Sequence, residues 1–269
     1  MKLKMFVNAA LFAGLALNQA WAAAPADVSP EAAARGLEIA KEVVRRDDGW
    51  GDSKVSMQMI LTNKHGDTSE RQIRLQSLEV DGDGDKSLSI FDEPRDVKGT
   101  AFLSFTHATV PDEQWLYLPA LKRVKRISSA NKSGPFMGSE YAFEDLTSFE
   151  VEKYDYEFLR EDTYDGQDVF VIRTFPRYPK SGYTKLEVVI DQAEYRTLKI
   201  DFYDRKGDLL KTLENKAYKQ YLDKYWRAHN ALMVNHQSGK KTELIWSGYD
   251  FQTGLSDKDF NKNSLKRAK

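Results

Sequence analysis

Cysteine is absent from the whole chain. That excludes disulfides, thiolate metal sites and a cysteine nucleophile, and it removes the residue on which a lipoprotein N-terminus is acylated. Long apolar runs are missing beyond the first few residues, so no second segment reaches the length of a bilayer span. Charge of one sign is missing too: 40 Lys and Arg stand against 41 Asp and Glu. Such a chain has no bulk attraction to nucleic acid or to an anionic membrane, so no nucleic-acid partner is expected and membrane contact should be peripheral or transient. No Ser/Gly linker, low-complexity block or internal repeat divides the sequence.

Signatures of catalysis and metal binding are also lacking. There is no G-x-S-x-G, Walker A, H-E-x-x-H or G-x-G-x-x-G. Of the four histidines, His65 falls in a turn, and His229 and His236 are spaced unlike metal ligands. Asp81, Asp83 and Asp85 alternate with Gly82 and Gly84 in a faint likeness to a calcium loop. The closing Glu of such a loop would fall at Asp92 and the glycine is displaced, so a hairpin turn is the expectation. Glu144 and Asp145 are neighbours, but adjacency alone does not pair carboxylates for acid–base work, and a surface or helix-terminal place is expected for them. No enzyme activity, cofactor or metal is therefore expected.

The first residues do carry a signal. Met1-Lys2-Leu3-Lys4 places two cations before an apolar stretch from Met5 to Leu17, and Ala20-Trp21-Ala22 follows. This is the pattern of a cleaved export signal, with cleavage expected after Ala22 and the periplasm of a Gram-negative cell as destination. Residues 1–22 are then the signal, and 23–269 one domain of roughly 245 residues. Removing Lys2 and Lys4 leaves 38 basic against 41 acidic residues.

A helix should open the mature chain. Ser29 suits its cap, Pro30 its first turn, and Ala33, Leu37, Ala40 and Val44 recur at helical spacing up to Arg45 and Arg46. After Gly51 the period becomes two: Val55, Met57, Met59 and Leu61 alternate with Lys54, Ser56, Gln58 and Ile60, and Asn63-Lys64-His65-Gly66 reads as a hairpin turn. A return strand carries Ile73 and Leu75. Further strands are expected over Ser87 to Phe91, Thr100 to Phe105, Gln114 to Leu118, Lys122 to Ile127, Tyr154 to Arg160 and Gln167 to Phe175. Five more follow, over Lys185 to Asp191, Thr197 to Tyr203, Leu209 to Tyr218, Ala231 to His236 and Thr242 to Tyr249. Short helical signals occur near Phe143 to Ser148 and Asp257 to Leu265. Many strands and few helices argue for a mainly β protein: one large curved antiparallel sheet or incomplete barrel, with flanking helices as a lid.

Such a sheet curls, and so few helices cannot cover one face tightly, which leaves an apolar concavity. Met57, Met59, Phe102, Phe105, Trp115 and Tyr117 are the candidates for its wall, or alternatively for a dry core. Gln114 to Leu118 and Lys122 to Ile127 form a hairpin in which Trp115 and Tyr117 share one face and Leu116 and Leu118 the other. Its cations Lys122, Arg123, Lys125 and Arg126 suit phosphate headgroups or an acidic partner, and serve equally as edge-strand protection. Phe136 and Met137, set among Gly and Ser in Lys132 to Ser139, form an apolar loop tip that either gates the cavity or packs onto it.

The stretch from Asp92 to Asp145 carries a resemblance. It contains Pro94-Arg95-Asp96-Val97-Lys98-Gly99-Thr100-Ala101-Phe102-Leu103, Gln114-Trp115-Leu116-Tyr117-Leu118-Pro119, Lys132-Ser133-Gly134-Pro135-Phe136-Met137-Gly138 and Phe143-Glu144-Asp145-Leu146. With Phe202-Tyr203-Asp204-Arg205-Lys206-Gly207 and Leu255-Ser256-Asp257-Lys258-Asp259-Phe260, it resembles the LolA-like outer-membrane lipoprotein-sorting proteins, a group often found with RND-type exporters. The resemblance implies a half-open antiparallel barrel lidded by helices, a lipid or lipoprotein acyl chain as cargo, and an RND-type inner-membrane transporter as partner. It carries over no catalytic residue. A non-carrying interaction subunit of an exporter complex is the alternative expectation.

Overall fold

The computed structural model describes residues 27–266, so the expected signal segment lies outside the described residues. The chain begins with helix α1, Pro30–Asp47, capped by the Ser29 hydroxyl, which accepts from the Ala32 N–H at 3.1 Å. Then come β1 (Asp52–Thr62), β2 (Thr68–Leu78), β3 (Lys86–Glu93), β4 (Ala101–Phe105), β5 (Glu113–Leu118) and β6 (Arg123–Ile127). A long covering segment with only short 3-10 turns leads to β7 (Tyr154–Tyr164), β8 (Gln167–Pro176), β9 (Tyr183–Asp191), β10 (Thr197–Asp204) and β11 (Leu209–Lys216). A ribbon of β12 (Lys219–Tyr221) and β13 (Tyr225–Arg227) interrupts the sequence before β14 (Asn230–Asn235), β15 (Lys241–Phe251) and the one-turn α2 (Lys262–Leu265).

Thirteen of these strands form one antiparallel sheet in the order β6-β5-β4-β3-β2-β1-β15-β14-β11-β10-β9-β8-β7. It is curved and does not close, so β6 and β7 are its edges. The period-two pattern explains the register. Met57 faces Ile73 and Trp246, and Met59 faces Leu244, so one row of apolar side chains runs across the concave face. The strands expected from the sequence are all present. The β12–β13 ribbon was not expected, because two three-residue strands are too short to show a period.

Besides the covering segment between β6 and β7, two elements lie on the sheet. Helix α1 packs Ile39 and Ala40 onto Tyr156, Phe170, Ile172 and Ile190 of β7, β8 and β9. Gly36 permits this: a Cβ there would stand 2.9 Å from the backbone carbon of Glu157. The ribbon folds back onto the end of the helix, where Arg227 pairs with Asp47, and Tyr225 donates to the Asp48 carbonyl at 3.3 Å. On the convex side the C-terminal segment seats Phe260 and Leu265 on Leu88, Ile90, Ala101, Leu103 and Trp115. No helix among the described residues is long and apolar enough to cross a membrane.

Candidate functional site

Between α1 and the concave face of β8, β9, β10 and β11 lies an apolar cavity of about 210 Å³. Ala40 and Val43 of the helix form its roof; Ile172, Val188, Ile200 and Leu213 belong to its floor. Small side chains on the helix meet large ones on the sheet only partly, so the space between them stays open. Phe149, exposed and stacked on Tyr154 at 5.4 Å, stands at its rim.

The cavity ends on the covering segment between β6 and β7, and this end is polar. Asp145 and Lys211 form an ion pair at 2.5 Å with side chains 5% and 4% exposed. The Tyr183 hydroxyl donates to the other oxygen of Asp145 at 2.7 Å, and Lys211 also donates to the Glu140 carbonyl at 2.8 Å. Glu144 accepts from the Tyr178 hydroxyl, the Ser181 hydroxyl and the Gly182 N–H at 3.1, 2.9 and 2.8 Å. Burial pushes the Glu144 carboxyl above its usual range, and these donors oppose the shift. Gly182 makes room for this contact: a Cβ there would stand 2.9 Å from both Glu144 Oε1 and Ser133 Cβ. Both acids are therefore buried ties between cover and sheet, in contrast to the surface place expected for them. Charges that look solvated in sequence close further ties: Asp112 takes Lys132 at 2.6 Å and Lys153 at 2.5 Å, all three nearly buried.

Three of the six expected wall residues, Met57, Met59 and Phe102, lie on the concave face in one packed cluster. Phe105, Trp115 and Tyr117 do not join them. They lie on the convex face with the C-terminal segment, Phe105 and Trp115 edge to face at 5.2 Å and Lys262 over the Trp115 ring at 4.4 Å. The reason is the pleat: Leu116 pairs with Phe102, and Trp115 with Leu103, so neighbours in sequence part to opposite faces. No single cavity takes all six. None of the six lines the cavity under α1.

Phe136 is 2% exposed, against Phe91, Phe102 and Phe143 with ring centroids 5.1–5.9 Å away. Met137 packs against the same cluster, and its carbonyl accepts from Arg71. The pair thus plugs the concave face over β3 and β4. Beside the plug, Trp50, Val55, Leu75 and Trp246 line a more polar hollow of about 430 Å³ that also contains Asp47 and Asp85.

Lys122, Arg123, Lys125 and Arg126 are exposed on the free edge strand β6 and the turn before it. Arg126 pairs with Glu113 at 3.2 Å, while the other three have no ion-pair partner among the described residues. Leu121 beside them is 68% exposed. Asp83 accepts from the Ala108 N–H and sits 2.6 Å from His107 Nδ1, which makes the Asp/Gly run a braced turn. No metal-ligand cluster occurs among the described residues.

A family model described only as "-like", an uncharacterized protein, matches residues 83–267. Among solved structures the chain is similar to a domain named for outer membrane lipoprotein sorting, from Vibrio parahaemolyticus. The identity is 63% over 87% of this chain and 100% of that one, with a TM-score of 0.86. A DUF1329 family protein from Desulfovibrio piger is 28% identical over 87% of this chain and 99% of its own, with a TM-score of 0.82. A LolA superfamily protein from Nitrosomonas europaea shares the fold at 21% identity, covering 85% of this chain and 98% of its own, with a TM-score of 0.68. No curated protein matches the chain.

Proposed function

Since the chain belongs to the LolA-like outer-membrane lipoprotein-sorting family, we propose that it is a periplasmic carrier, not an enzyme, which holds a lipid or lipoprotein acyl chain for transfer toward the outer membrane. The observation that carries this reading is the apolar cavity between α1 and β8–β11, open on a fold of carrier type. A roughly 210 Å³ space accommodates part of one acyl chain, so a multiply acylated cargo requires α1 or the covering segment to move. Phe136 and Met137 act in this reading as the inner plug of the concave face, and Met57, Met59 and Phe102 as the wall exposed when the plug lifts. The donor is an RND-type inner-membrane transporter, and Lys122, Arg123, Lys125 and Arg126 on β6 meet its acidic surface or the headgroups of the lipid.

The test is native mass spectrometry with lipid extraction on protein taken from periplasm. A stoichiometric lipid or acylated peptide supports the carrier and names its cargo class. A bare mass that persists after incubation with membrane lipids favours the alternative, a non-carrying interaction subunit of an exporter. The dense ties of the covering segment, Asp145–Lys211 foremost, are what speak for that alternative. Changing the four hairpin cations together to Gln should halt handover in cells while stability stays within ~0.5 kcal/mol, as for surface sites generally. Unchanged transport would leave those cations as edge protection alone.

A further inference from the structure

The cavity under α1 carries charge that an acyl pocket does not need. Two carboxylates, Glu144 and Asp145, line it together with Tyr141, Tyr178 and Tyr183. Lys211 compensates Asp145. Glu144 has no such compensation: its partners are a phenol, a hydroxyl and a backbone N–H, none of them cationic. All three donate to it, the pattern of an ionised, acceptor-only carboxylate. Other cations of the covering segment are already engaged, Lys132 and Lys153 both by Asp112. Tyr141, 5% exposed, lines the same cavity, and its hydroxyl has no partner among the described residues. This end of the cavity therefore holds uncompensated negative charge and one donor without an acceptor.

We propose that Glu144 is a specificity determinant of the cavity, which admits acyl chains whose polar end is an uncharged ester or amide and rejects free fatty-acid anions. The inference rests on the carrier reading and narrows its cargo. A ligand carboxylate held ~6 Å from Glu144 at an effective dielectric of about 20 would be disfavoured roughly 100-fold. Since a flexible chain can hold its end further off, the discrimination measured should be at least about tenfold. An ester or amide carbonyl escapes this repulsion and offers the acceptor that Tyr141 lacks. For a periplasmic carrier the selection has a use: esterified cargo is kept apart from free fatty acids released by lipid breakdown.

The experiment is displacement of the apolar fluorophore N-phenylnaphthylamine from the full mature chain at mildly alkaline pH. The competitors share a lauroyl-length chain: monolaurin, laurate and dodecylammonium. Monolaurin and dodecylammonium are expected to compete at least about tenfold better than laurate. In Glu144→Gln, the affinity ratio of laurate to monolaurin should move most of the way to one. Laurate equal to monolaurin on the wild-type protein would overturn the proposal, and so would a deficit that survives Glu144→Gln in a variant of wild-type melting temperature. The comparison of laurate with dodecylammonium tests the sign of the field without any variant. Failure of the wild-type protein to bind the fluorophore or any of the chains would instead bring down the carrier reading itself.

Discussion

The two halves of the concave face are built from the same alternating strands and end up unlike. Over β3, β4 and β5 the cover is a loop that drives Phe136 and Phe143 down onto Phe91 and Phe102, leaving a packed aromatic cluster. Over β8 to β11 the cover is a helix whose inward residues include Ala40 and Val43, and a cavity remains. A loop can lower a large side chain into a hollow because its backbone is free to follow. A helix keeps its axis roughly 8–10 Å from whatever it packs on and fills the gap only with the side chains it carries. The backs of the two halves differ as well, one covered by Phe260 and Leu265, the other by its own cluster of Val169, Val171 and Leu198.

The strongest way to break this arrangement is to cut the tie between the covering segment and β11. Lys211→Ala leaves Asp145 buried and unpaired and should cost about 3–5 kcal/mol, read by urea unfolding; a loss below about 1 kcal/mol would mean that water replaces the pair. Next comes the plug. Phe136→Ala should cost ~3–4 kcal/mol and open a void inside the aromatic cluster able to take a small apolar probe such as benzene. A collapsed site, with a small loss and no probe bound, would show that the loop follows its side chain inward.

Filling the open half should do the reverse. Ile200→Trp, on the cavity floor, is expected to weaken N-phenylnaphthylamine binding more than about tenfold while stability changes by less than ~1.5 kcal/mol. Full binding in a folded Ile200→Trp protein would move the ligand site elsewhere, the Trp50–Trp246 hollow being next in line. The smallest effect concerns that hollow. Burial, followed by the nearby Glu150 charge, raises the Asp85 carboxyl from 3.8 to about 7. The folded state then binds more protons than the unfolded state between those values, so stability is greatest below about pH 4 for this group and falls as pH rises through about 7. Asp85→Asn should remove that slope and add ~1–2 kcal/mol above neutrality, partial exposure having reduced the full linkage value. A melting curve series with the same pH slope in both proteins would assign the slope to other carboxylates.

The hairpin shows how far the sequence could be followed. Alternation separated Trp115 and Tyr117 from Leu116 and Leu118, and the pairing with β4 agrees. It could not tell which face was concave, because that depends on Phe260 and Leu265, more than a hundred residues downstream. A row of large aromatics looks like the wall of a cavity in sequence, yet here it is a convex core under the C-terminal segment. Glu144, Asp145, Lys211 and Asp112 were missed for a related reason. A charged residue in a polar stretch resembles a solvated one until its partner is brought to it, and Asp145 and Lys211 are 66 residues apart.

The sequence by itself determined the elements: the capped first helix, the strands and their turns, and which side chains share a face, because these depend on periods and caps within a few residues. The family resemblance lay in its motifs as well. Only the tertiary structure decided which face is inside, where on it the aromatic plug sits, and which charges are buried. Those follow from how distant segments cover one curved sheet, and no local period records that.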